Sequence, residues 1–131
     1  MTQTRPAPAA RNPALVRAAQ VGAVASVLAL LWQFATAGQL LSQEDAMGGH
    51  ATGAVVLHVA NAVLLVATVL HVRAGGARWP AVLAAAVFAA GFVQAAIGDA
   101  GNMGAHVPGA LVLSVGTVWL TAWAFRRHPV A

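Results

Sequence analysis

Cysteine is absent from this chain. That excludes disulfides, thiolate metal sites and cysteine nucleophiles. Charge is scarce: 8% of the 131 residues are Asp, Glu, Lys or Arg, against about a quarter in a soluble domain, which needs them to face water. Lysine is missing altogether, so all seven cations are arginines, and there are only three carboxylates. No phosphate loop, nucleophile triad, metal-hydrolase motif or nucleic-acid module is present, which removes soluble-type hydrolysis from the candidate functions. The net charge of +4 suggests nucleic acid in a soluble protein. Here the positions of the arginines explain it better.

What the chain has is apolar sequence: 60% of its residues are hydrophobic. Its length allows four spans of roughly 20 residues with short loops between them, and leaves no room for a separate soluble domain. Residues 1–13 are polar, basic and rich in Pro and Ala, and read as a flexible tail. Residues 14–128 form a single domain with apolar stretches at about 16–41, 50–72, 79–97 and 106–125. In lipid every backbone amide must be satisfied within its own segment or a closed barrel, and nothing here alternates like barrel strands, so the spans are expected to be helices. Pro108 is expected in the first turn of the fourth, where proline is tolerated.

The arginines orient the spans. Arg5, Arg11 and Arg17 precede the first, Arg73 and Arg78 lie between the second and third, and Arg126 and Arg127 follow the fourth. Glu44, Asp45 and Asp99 occupy the two remaining loops. Arginine-rich loops stay on the cytoplasmic side, so both termini are expected inside. Trp79, Trp119 and Trp123 then fall toward the inner interface. The expected fold is an all-α membrane protein, a four-helix up-down bundle in the bacterial cytoplasmic membrane. A basic start, an apolar run and Ala35-Thr36-Ala37 also resemble a secretory signal and its cleavage motif. The length of the apolar stretch and the pairing of hairpins described next favour its retention as a span.

A shift of 56 residues lays Met47–Leu57 over Met103–Leu113 with seven of eleven positions identical. Matches among Ala, Val and Leu are cheap in membrane helices, but a repeated Met-x-x-His-x-x-Gly is not cheap in a chain with three methionines and five histidines. The polar positions His58 and Ser114, and Asn61 and Thr117, also coincide, and the first and third spans each carry a glutamine, Gln33 and Gln94. The chain therefore reads as two duplicated helical hairpins in parallel orientation.

The repeat sets His50 and His106 at one depth, at the outer ends of the second and fourth spans. In an up-down bundle those helices are parallel and diagonal. Two imidazoles so placed can ligate a planar cofactor from both faces, which points to a b-type haem. Gly53 and Gly109 lie one turn deeper on the same faces and are expected to make room for the edge of a macrocycle. His58 is deeper still; an ionisable group within a span is a functional candidate by default, with a neutral ring bonded to Gln33, Gln94 or Ser114 as the bland alternative. His71 and His128 flank arginines and read as solvated. Gln33, Asn61, Gln94 and Ser114 read as interhelical hydrogen-bonding residues.

These residues resemble one half of a haem A synthase, a family of duplicated four-helix bundles with haem-ligating histidines at the outer ends of the second and fourth helices. The resemblance covers about residues 18–125 and falls on His50 and His106 alone. Where those synthases carry a glutamate three residues before the histidine and an arginine after it, this chain has Met47 and Ala51. The chain also looks like many small four-helix membrane proteins of bacteria. What the resemblance implies is a haem-type fold. The residues themselves lead to the expectation of contact with the bilayer, a membrane redox partner, no nucleic acid and no catalytic residues.

Two other functions fit the same residues. Met47 and Met103, three residues before the histidines, would complete a soft Met₂His₂ site for Cu(I). A non-catalytic membrane subunit or a small transporter would need no cofactor. A carrier driven by protons through an acidic residue is disfavoured, because no span holds a carboxylate.

Overall fold

The structure is a computed structural model and describes residues 12–42 and 44–126. It contains four helices and, among the described residues, no strand: α1 (Pro13–Leu41), α2 (Met47–Arg73), α3 (Trp79–Asp99) and α4 (Met103–Phe125). All four are long and apolar enough to cross a membrane. At 27 residues α2 runs about 40 Å, more than the hydrocarbon thickness of a bilayer.

Local chemistry fixes the helix ends. Asn12 accepts a hydrogen bond from the Ala14 amide at 3.0 Å, and Pro13 follows at the first helical position, where its missing N–H costs nothing. Asn102 caps α4 by accepting from the Ala105 amide at 3.2 Å. The two tight turns on either side of α3 each use a glycine in the left-handed region, Gly75 at φ 84° and Gly101 at φ 72°. All four helices begin or end beyond the apolar stretches. α1 starts at Pro13, α2 and α4 start at Met47 and Met103, and α3 continues to Asp99. Hydropathy marks where lipid contact begins, whereas the Asn12 and Asn102 caps start the backbone ladder earlier. Pro108 consequently lies inside α4 rather than in its first turn. Of the expected tail, Asn12 and Pro13 belong to the start of α1, and residues 1–11 lie outside the described residues, as do Gln43, Arg127 and His128.

The packed pairs are α1–α2, α2–α3, α3–α4 and α4–α1, so α1 faces α3, and α2 faces α4, across the diagonals of a square bundle. Short turns make neighbours antiparallel. Arg17, Arg73, Arg78 and Arg126 therefore share one end of the bundle, and Glu44, Asp45 and Asp99 share the other.

The core is built from small residues around a few large ones: Ala19, Ala23 and Ala67 with Leu64, Leu120 and Trp123. Small residues let helix backbones approach closely, the main source of packing energy where lipid removes the hydrophobic drive. Gly22 is the clearest case, since a Cβ there would lie 3.0 Å from the Leu64 backbone nitrogen. Trp79 and Trp119 are exposed, but Trp123 turns inward, 6% exposed, against the rings of His71 and Trp79. The outer surface is lined by Leu28, Val56, Val82, Phe92, Leu111 and Val112, all more than half exposed, a surface suited to lipid chains.

Candidate functional site

At the acidic end of the bundle, the imidazoles of His50 on α2 and His106 on α4 face each other across the diagonal. Their ring centroids are 6.5 Å apart and the ring planes are inclined by 60°. Both rings are half-buried.

Each ring is held through Nδ1. His106 Nδ1 lies 3.0 Å from the backbone carbonyl of Gln94 in the last turns of α3. A carbonyl can only accept, so this nitrogen carries the proton. His50 Nδ1 lies 3.0 Å from Thr36 Oγ1 on α1. The Thr36 hydroxyl is itself 2.9 Å from the Trp32 carbonyl and 3.1 Å from that of Gln33. The Thr36 hydroxyl can direct its single proton to the helix backbone and accept from His50, or donate to His50 Nδ1 instead. The carbonyl partner sets His106 as the Nδ1–H tautomer with a lone pair on Nε2, whereas the hydroxyl partner leaves both tautomers open to His50. Metal-binding histidines are oriented by this kind of hydrogen bond.

The supporting contacts repeat from one hairpin to the other. Gln33 Nε2 donates to the His50 carbonyl at 2.9 Å, and Gln94 Nε2 donates to the His106 carbonyl. Gly53 and Gly109 serve these contacts. A Cβ at Gly53 would run into the Trp32 indole and lie 3.0 Å from Gln33 Nε2, and one at Gly109 would run into the Gln94 carboxamide. The room expected beside these glycines for a macrocycle is taken by the side chains of Trp32, Gln33 and Gln94. Trp32, 55% exposed, also donates to the Gly49 carbonyl at 2.9 Å.

His58 stands apart from this pair. Its Nδ1 lies 2.8 Å from the Ala54 carbonyl one turn back on α2, not on Gln33, Gln94 or Ser114. Its ring packs 4.4 Å from that of Phe92 and against Gly91 on α3, and its buried Nε2 has no hydrogen-bond partner. Ser114 bonds within its own helix, to the Ala110 carbonyl at 2.7 Å. Asn61 does bond between helices, to Ser26 on α1 at 3.0 Å. Met47 and Met103 are both helical, and their side chains are 61% and 50% exposed.

Sequence reasoning missed Thr36, noted only as part of a cleavage-like tripeptide, and the backbone carbonyl of Gln94. A lone threonine in an apolar helix gives no signal, and a backbone acceptor gives none at all.

An iron held by two imidazoles sets each ring centre about 3.2 Å from the metal, the sum of a bond of about 2 Å and about 1.2 Å within the ring. Two such rings stand about 6.4 Å apart. The 6.5 Å between the His50 and His106 ring centroids matches that spacing. Among the described residues no cluster of three or more His, Cys, Asp or Glu side chains could hold a metal. Comparison with protein-family models, curated proteins and solved structures gives no match.

Proposed function

We propose that this chain is a multi-pass protein of the bacterial cytoplasmic membrane, both termini inside, whose outer end binds a b-type haem through His50 and His106. The observation that carries this reading is the 6.5 Å separation of two imidazoles on diagonal helices, each with Nδ1 occupied. His50 and His106 would hold the haem iron, and the haem would supply one-electron transfer there. The protein's role is then to exchange electrons with a membrane redox partner, with no catalytic residue of its own. The amino-terminal ends of α2 and α4 carry partial positive charge toward the propionates. Trp32, Gln33 and Gln94 fill the flanks of the two rings, so a macrocycle would enter only with loss of the Gln33 and Gln94 bonds to the histidine carbonyls.

The repeated Gln-to-histidine-carbonyl contact supports a duplicated hairpin as the origin of the pair. The separation of arginines and carboxylates to opposite ends of the bundle supports the orientation.

The test is an absorption spectrum of the protein purified with haem supplementation, oxidised and reduced. A sharp α-band in the reduced protein, lost in both His50→Ala and His106→Ala, supports the proposal. A colourless protein overturns it.

One observation favours a second reading, a two-coordinate Cu(I) site on the same Nε2 atoms. The space flanking the rings is filled by Trp32, Gln33 and Gln94, and a bare ion needs no slot. The exposure of Met47 and Met103 argues for two ligands rather than four. Metal analysis of a colourless preparation decides it: one copper per chain supports this reading, and no metal leaves a non-catalytic membrane subunit.

A further inference from the structure

An open groove runs along the side of α4 turned away from the bundle, lined by Ser114, Val115, Val118, Trp119, Ala122 and Arg126. Ser114, Val118, Ala122 and Arg126 recur at every fourth position, with Val115 and Trp119 in the adjacent row, so all six share one helix face. Val115, Val118 and Trp119 are each more than half exposed. The short side chain of Ala122 leaves the depression between the Trp119 indole and Arg126. Ser114, the hydroxyl at the far end, donates to the Ala110 carbonyl at 2.7 Å, so the groove holds no unmet polar demand along its apolar length.

The two ends of the groove differ in chemistry. The twelve positions from Ser114 to Arg126 rise about 18 Å, close to the roughly 15 Å of hydrocarbon in one leaflet. At the mouth stands Arg126, at the end of the bundle that also carries Arg17, Arg73 and Arg78. All three acidic side chains of the chain, Glu44, Asp45 and Asp99, lie at the opposite end, so none competes for Arg126. The carboxyl end of a helix repels an anion, but that of α4 is blunted. The Ala124 carbonyl accepts from Gln20 Nε2 at 3.2 Å, and the Trp123 carbonyl accepts from the Arg126 backbone N–H at 3.2 Å.

We infer that this groove is a binding site for an anionic phospholipid of the inner leaflet. One acyl chain lies along Val115, Val118 and Ala122 against the Trp119 ring, and the phosphate pairs with Arg126. An apolar slot one leaflet long with a cation at its mouth matches an amphiphile with an anionic head. A zwitterionic lipid carries its own cation beside the phosphate and gains less from the arginine. The inference rests on the membrane reading above and on no cofactor at the outer end.

The experiment uses the full chain in phosphatidylcholine vesicles of equal composition in both leaflets. Increasing fractions of brominated phosphatidylglycerol, or of brominated phosphatidylcholine, quench tryptophan fluorescence by contact. The component missing from Trp119→Phe reports the groove. The expected result is a preference of about fivefold for the anionic quencher at Trp119. Arg126→Gln is expected to abolish that preference. Arg73→Gln removes the same charge from α2, diagonal to α4, and is expected to leave it intact. Ala122→Leu fills the groove and is expected to weaken quenching by both lipids.

Equal quenching of Trp119 by the two lipids overturns the inference. So does a preference that falls alike in Arg73→Gln and Arg126→Gln, which is the mark of diffuse attraction to a charged surface. Quenching of Trp119 by neither lipid fails the membrane reading, and the inference with it.

Discussion

Gln33 on α1 donates its carboxamide N–H to the backbone carbonyl of His50 on α2 at 2.9 Å. This bond fixes the height of the His50 turn against α1. Gln94 makes the corresponding bond to the carbonyl of His106, so both histidine-bearing turns are tied to the preceding helix by the same chemistry.

Gln33→Leu and Gln94→Leu each remove one interhelical hydrogen bond. Such bonds are worth about 0.6–2 kcal/mol in membrane proteins. Unfolding titrations in mixed detergent micelles, followed by circular dichroism, are expected to show losses of that size. The double variant should lose the sum to within about 0.5 kcal/mol, because the two bonds share no partner.

The buried Ser26–Asn61 pair predicts an asymmetry. Ser26 Oγ lies 2.8 Å from the Gly22 carbonyl and 3.0 Å from the Asn61 carboxamide. Asn61→Val leaves Ser26 its backbone acceptor. Ser26→Ala strands the Asn61 carboxamide, 7% exposed, at a cost of about 1–3 kcal/mol. The same unfolding assay is expected to rank Ser26→Ala as the more damaging single change. Combining the two substitutions should recover part of the loss.

Gly22 meets backbone, not a flexible side chain, so α1 and α2 must separate to admit anything larger. Gly22→Val is expected to cost about 1–3 kcal/mol through overpacking. Gly38, with nothing within 4 Å of an added Cβ, provides the contrast: Gly38→Val should change stability little in the same assay.

The absence of cysteine permits a clean test of orientation. Ser42→Cys or Ala100→Cys, in the turns at the acidic end, is expected to react with a membrane-impermeant maleimide on intact cells. A cysteine at Ala77, between α2 and α3, should react only after permeabilisation. The reverse pattern contradicts the arginine rule for this chain.

Much of the fold was legible because lipid allows so few solutions. Once four apolar stretches are found and barrel alternation is absent, helices are the remaining way to satisfy the backbone, and short turns make them antiparallel. The helix starts were less legible. Asn12 and Asn102 cap upstream of the apolar runs, which is why Pro108 falls inside α4. At the site, the matched Met-x-x-His-x-x-Gly segments gave His50 and His106, and diagonal helices brought them together. The same matching misread Gly53 and Gly109, because it could not show that Trp32, Gln33 and Gln94 reach over them. His58 turned toward Phe92 and Gly91 on α3, since helical phase about the bundle axis depends on packing that periodicity alone does not resolve.

Joint ligation of one haem iron by His50 and His106, as proposed, is open to electron paramagnetic resonance of the oxidised, haem-supplemented protein. A low-spin ferric signal in the wild type, converted to high spin by His50→Ala and by His106→Ala alike, is the expected result. A high-spin wild-type signal, or a low-spin signal that survives either substitution, contradicts it.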